Sequence, residues 1–239
     1  MAELIRLDAR PPSEGRLLWV SGLSDDTTHA KLHTFFSSAG LLASLVVNRE
    51  MARADWALLH YYTAAAAARC IAELDGLLLD GRRLTVCRPQ TAAPARASPL
   101  SARALELPAH AQLEVMNHFL GAAGGWSSDL RPIERLGAEP VGPGRIAAVA
   151  RATVVVTVFV GVAEPLRVEG VATGRAEFRE AAEPSADDGV VRAMASAQKF
   201  ASGNAMKAAL ARLAIVVLAS GRVCVRQVDA HAAEKENSG

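Results

Sequence analysis

Two short stretches decide the fold of the first part of the chain: RLLWVSGL at residues 16–23 and DWALLHYY at residues 55–62. Each is a run of apolar, β-branched or aromatic residues bounded by turn-forming residues, the pattern of a strand. Outward from the first, Asp25, Asp26 and Thr27 can cap a helix running through HAKLHTFFSSAG, and Gly40 ends it. LLASLVV at residues 41–47 is the strand that precedes DWALLHYY. Thr63 caps a second, alanine-rich helix that stops near Asp75 and Gly76, and RRLTVCR at residues 82–88 supplies a fourth strand. The order β-α-β-β-α-β is the ferredoxin-like arrangement, in which two helices cover one face of a sheet and leave the other open.

Strand alternation sends every second residue of the middle strands to that open face. Trp19 is placed there by the first strand, and Trp56, Leu58 and His60 by the third. Two indoles and an imidazole on an uncovered face are costly unless something stacks on them, and nucleobases are the common partner. Charge points the same way. The chain as a whole is nearly neutral, 26 Lys and Arg against 25 Asp and Glu, so any basic surface is local. Between Asp80 and Glu106 there is no acidic residue, while Arg82, Arg83, Arg88, Arg96 and Arg103 are all basic. Arginines beside a stacking face are the pairing expected of a single-strand binder.

Residues 14–90 therefore read as one domain. At residues 91–105 periodicity dissolves into Ala, Pro and Ser, which reads as a linker. A second domain follows at residues 106–229, with a tail at 230–239 expected to be disordered. LPAHAQLEVMNHFLG reads as a helix; LRPIERL, GRIAAVARATVVVTVFVGV and GVATGRAEF read as strands; and an acidic loop precedes a long helix over about residues 190–213. The coarse order is αβββα, followed by a hairpin around Ala219, Ser220 and Gly221, so the fold class is α+β throughout. From Gly189 to Val228 there is no Asp or Glu, but Arg192, Lys199, Lys207, Arg212, Arg222 and Arg226 are present. At 100° per residue Arg192, Ser196, Lys199, Gly203 and Lys207 fall within about 80° of one another, a basic row suited to phosphate.

Other chemistries find little support. Cys70, Cys87 and Cys224 are odd in number and scattered, which favours a reducing compartment over a disulfide framework or a zinc site. The first ten residues carry charges through their apolar positions, so no signal-peptide core is expected. The apolar stretch at residues 146–163 is interrupted by Arg151 and rich in β-branched residues, as in a buried strand, so no membrane span is expected. His29 and His33 lack a third ligand at metal spacing, no GxxxxGK[ST] phosphate loop occurs, and Gly142, Pro143 and Gly144 read as a hairpin turn. No cofactor, no metal and no covalent catalysis are expected.

Two further likenesses sharpen this reading. LWVSGL at residues 18–23 resembles the hexamer of an RNA recognition motif, with Trp19 at its stacking position, and ADWALLHY at residues 54–61 resembles the octamer. Trp56 and Tyr61 keep aromatic positions of that octamer, whereas Ala54, Asp55 and Leu58 depart from it. The segment at residues 196–228, with LEVMNHFLG upstream, is similar to the carboxy-terminal motif of the Rad-fifty-two-motif-containing proteins, and the combination of the two units resembles that family. The resemblance implies a nuclear and cytoplasmic protein that binds single- and double-stranded DNA, and RNA as a further ligand, in the response to DNA damage. It also likens the second unit to a strand-annealing domain, whose basic cluster K-R-A-L-R corresponds to KAALA at residues 207–211, keeping Lys207 with Arg212 one step on. Self-association is left open. Two alternatives stay beside this reading: an RNA-processing factor in which the first unit dominates, and a protein-interaction module in which Leu58 and the tryptophans contact a partner helix.

Overall fold

The computed structural model describes residues 2–9, 11–12, 14–50, 53–89, 107–121, 125–142, 144–159, 164–179 and 186–228. The linker and tail expected at 91–105 and 230–239, with Arg96 and Arg103, lie outside the described residues. Two compact units form, one from residues 9–106 and one from residue 107 onward, which also takes in residues 4–8. The first strand, β1 (Glu3–Arg6), is accordingly described with the second unit.

The first unit contains β2 (Leu17–Ser21), α1 (His29–Ser37), β3 (Leu42–Glu50), β4 (Arg53–Tyr61), α2 (Ala64–Leu74), a two-rung ladder of β5 (Leu78–Leu79) with β6 (Arg82–Arg83), and β7 (Thr85–Cys87). Its four-stranded antiparallel sheet has the order β3-β4-β2-β7. One face buries Leu18, Val20, Leu59 and Tyr61 against Leu32 and Phe36 of α1 and Cys70 and Leu74 of α2. Within that core the Tyr61 hydroxyl donates to the Phe36 carbonyl at 2.9 Å. Burial pushes both the Tyr61 phenol and the Cys70 thiol up, so neither ionises at neutral pH. The fourth expected strand is divided: Arg82 and Arg83 pair with β5, and only residues 85–87 join the main sheet, because Leu84 turns into the core between them.

Helix caps follow the sequence closely but not completely. Thr63 caps α2, accepting from the Ala66 amide at 3.1 Å. For α1 the cap is Thr28, which accepts from the Lys31 amide at 3.2 Å, in place of the expected Asp25, Asp26 or Thr27. Thr27 is instead buried, and its hydroxyl donates to the Asp80 carboxylate at 2.9 Å, where Lys31 Nζ also donates at 3.0 Å. Lys31 first, and Thr27 second, hold the Asp80 carboxyl below its ordinary range.

The second unit runs α3 (Ala109–Leu120), β8 (Trp126–Leu130), β9 (Glu134–Gly142), β10 (Arg145–Val158), β11 (Leu166–Arg179), α4 (Ala186–Leu210), β12 (Leu213–Val217) and β13 (Val223–Gln227). Among the described residues four strands thus lie between α3 and α4 where three were expected. The apolar run from residue 146 is the long strand β10, and LRPIERL is split between the end of β8 and the start of β9, with residues 131–133 outside both. β10 pairs with β11 along its length, and with β8 and β9 at its other edge. β12 and β13 form the expected hairpin, and β1 adds to β12 to make a three-stranded sheet. Ile5 and Leu7 of the amino terminus are buried there, and the Leu7 carbonyl accepts from Gln112 of α3 at 2.7 Å. Residues 4–8 lay outside both domains read from the sequence.

What places α4 on the sheet is an absence of side chain. Its buried face is a column of Ala193, Ala197, Ala201, Ala205 and Ala209, and β11 meets that column with Gly170 and Gly174. A Cβ at Gly170 would clash with the Ala205 carbonyl and the Ala209 amide, and one at Gly174 with the Ala201 amide and the Ala197 carbonyl. Since backbone cannot yield as a flexible side chain can, Gly174→Val should destabilise the second unit by about 2–3 kcal/mol. Thermal denaturation checks this, and an unchanged Tm would contradict the packing. For Asp80, whose pKa is depressed in the folded chain, the stabilisation is present above the ordinary carboxylate value and lost as pH falls through the folded one. Asp80→Asn should therefore lower Tm at neutral pH, with the gap to the parent closing in acid; a gap independent of pH would count against the tie.

Candidate nucleic-acid interface

On the sheet face opposite the helices, Trp19 of β2 lies across from Leu58 of β4, and Trp56 across from Ser21. This diagonal register brings the two indoles together, with ring centroids 4.3 Å apart and planes inclined by 23°. Both remain half-buried. Stacking of this kind contributes about 0.5–1.5 kcal/mol beyond area burial and shields one face of each ring. The platform offered to a ligand is thus a tryptophan pair whose outer ring faces remain, and not two separate indoles.

The other two residues expected on this face are corrected. Leu58 is 8% exposed and His60 only 3% exposed. His60 Nε2 lies 3.3 Å from the Pro12 carbonyl, so the segment before β2 passes over that end of the strand and takes it out of solvent. A partner helix cannot use Leu58 as it stands, and no base reaches His60. In their place the face presents Val46 of β3, opposite Leu58, and Cys87 of β7, opposite Trp19. Neither was singled out from sequence, although the alternation of β3 and β7 carried the signal for both.

Arg82, Arg83 and Arg88 do not act as one group. Arg88 directly follows Cys87, at the end of the strand beside Trp19, and is exposed. Arg82 and Arg83 belong to the separate β5–β6 ladder, and Arg82 donates to the Leu23 carbonyl at 3.4 Å. Of the three, only Arg88 is continuous in sequence with the strand that carries the stacking face.

In the second unit the basic row of α4 is where helical periodicity puts it. Arg192, Ser196, Lys199 and Gly203 are exposed and Lys207 is half-buried, all opposite the alanine column. From Arg192 to Lys207 the row spans roughly 22 Å along the helix axis. Arg192 also lies over the Phe178 ring, 5.7 Å from its centroid, which fixes its stem while leaving the charge at the surface. Arg212, beyond the helix, is held by the Glu169 carbonyl, to which it donates at 3.0 Å. Among the described residues no group of His, Cys, Asp and Glu could hold a metal ion, and no described helix is long and apolar enough to cross a membrane.

The topology of the first unit is that of an RNA recognition motif, and residues 18–85 match the RNA recognition motif family model. Over 98% of its length the chain is also similar to RAD52 motif-containing protein 1 of Gallus gallus, with 29% identity across 247 residues and 83% of that protein covered. An RNA recognition motif joined to a RAD52-like motif is thus supported by both comparisons. Among solved structures, the third RNA recognition motif of Pes4 matches with 23% identity, 31% of this chain and 92% of that one covered, and a TM-score of 0.30. The Rna15 motif with bound RNA matches with 20% identity, 33% and 85% covered, and a TM-score of 0.30.

Two indoles in this geometry couple their transitions. The chain should show an exciton couplet in its circular dichroism spectrum that Trp56→Leu removes without lowering the helical signal; a spectrum unchanged by that substitution would overturn the stacked pair.

Proposed function

We propose that this chain binds single- and double-stranded DNA, and RNA in addition, as a recombination and DNA-damage-response factor of nucleus and cytoplasm that acts without covalent chemistry. The observation that carries the reading is the α4 basic row, exposed from Arg192 to Gly203 and continued by the half-buried Lys207, on a helix whose other side is committed to the core. The likeness to RAD52 motif-containing protein 1 supports the DNA-repair setting. The first unit contributes stacking through Trp19 and Trp56 with Arg88 nearby, and the second contributes phosphate contacts through Arg192, Lys199 and Lys207, with Arg212 next to the row.

The two contributions separate by their salt dependence. Trp19→Ala should weaken single-strand binding by about 1–3 kcal/mol with little change in the slope of affinity against salt. Lys207→Glu should weaken binding to all strands and flatten that slope by at least about one phosphate contact. Fluorescence anisotropy of labelled single-stranded DNA, duplex DNA and single-stranded RNA at several salt concentrations measures both, and equal slopes for the two variants would refute this division. The RNA recognition motif itself favours a second reading, an RNA-processing factor. Its signature is strong preference for RNA that disappears with Trp19.

A further inference from the structure

Phe200 and Gly203 interrupt the surface of α4 in a way that core packing does not explain. Phe200 is 54% exposed, one residue beyond Lys199. On the helical wheel it lies only about 20° past Lys207, at the edge of the basic row, and Gly203 is its i+3 neighbour on the same surface. A glycine inside a helix costs stability against any ordinary residue, and it is normally kept where something must come close. Gly170 and Gly174 meet that description, since the α4 backbone fills their space. Gly203 does not, because a Cβ built there would meet nothing within 4 Å beyond its chain neighbours and the adjoining backbone of its own helix.

We infer that Phe200 and Gly203 form a base-stacking subsite on α4, in which an unpaired base of a nucleic-acid strand lies on the Phe200 ring while the strand passes close over Gly203. Lys199 and Lys207, to either side along the axis, then sit within reach of the flanking phosphates. This rests on the phosphate-binding role proposed above for the row and adds a property that the charges alone lack. Lysines attract single and double strands alike, whereas a phenyl ring can stack only on a base that is not already stacked in a duplex. The subsite therefore makes α4 selective for unpaired strands.

The test uses the full chain with labelled oligothymidylate, the oligouridylate of equal length, and a duplex of equal length. Phe200→Leu keeps an apolar helix-former and removes the ring; affinity for the single strands should fall about tenfold, with the salt slope and duplex affinity unchanged. Gly203→Gln fills the space above the helix with a neutral helix-former; Tm should rise while single-strand affinity falls. The ratio between the thymidylate and uridylate arms tells whether DNA or RNA is the natural strand. If both variants bind single strands as the parent does while Lys207→Glu loses binding, the subsite is overturned and the basic row stands. If the parent shows no salt-sensitive binding to any of the three probes, the subsite and the proposed function fall together.

Discussion

The second unit is organised by a backbone-to-backbone contact. α4 can lie on the β10–β11 sheet only because Gly170 and Gly174 have no side chain and the helix offers them a column of alanines. The sheet answers with small residues around the same points: Ala150 pairs with Gly174, and Ala148 with Ala176. Close approach is rewarded by dispersion over a long, flat contact, but it leaves no slack. Larger residues on either surface would lift the helix as a body. The same contact fixes the rotation of α4 about its axis, so the face opposite the alanines turns Arg192 and Lys199 to solvent and leaves Lys207 half-buried at its end. The basic row is thus a consequence of the packing and not an independent feature of the surface.

In the first unit the comparable constraint is the register between β2 and β4. It sets Trp19 and Trp56 on a diagonal, near enough to stack on each other at 4.3 Å. An open sheet with two lone indoles would expose a large apolar area; the stacked pair keeps part of it out of water and holds both rings in one orientation. A platform ordered beforehand loses less freedom when a base settles on it. The cost is capacity, because the shared ring faces are no longer open to ligand. With Leu58 and His60 also covered, the stacking surface is narrower than alternation alone suggests.

Much of this was legible in the sequence because it rests on local periodicity. The βαββαβ order, the Thr63 cap, the inward set Leu18, Val20 and Leu59, and the solvent side of α4 all follow from residues a few positions apart. What was not legible depends on groups distant in the chain. His60 looks exposed until Pro12, 48 residues earlier, comes over it. Thr27 looks like a helix cap until Asp80, 53 residues later, takes its hydroxyl and leaves the cap to Thr28. Gly170 and Gly174 look like ordinary interruptions of a strand until the helix that needs them is in place.

By itself, then, the sequence determined the βαββαβ order of the first unit and the helices of the second, that two indoles share one face of the first sheet, and that basic residues line one side of α4. These are matters of alternation at two residues or turning at 3.6, and short-range free energy decides them. Only the tertiary structure decided that the indoles stack on each other, that His60 is covered, and that β1 (Glu3–Arg6) pairs with β12 more than 200 residues away in the chain. The physical reason is that such contacts trade loop-closure entropy against burial between distant segments, and no local pattern records which distant segment will supply the other half.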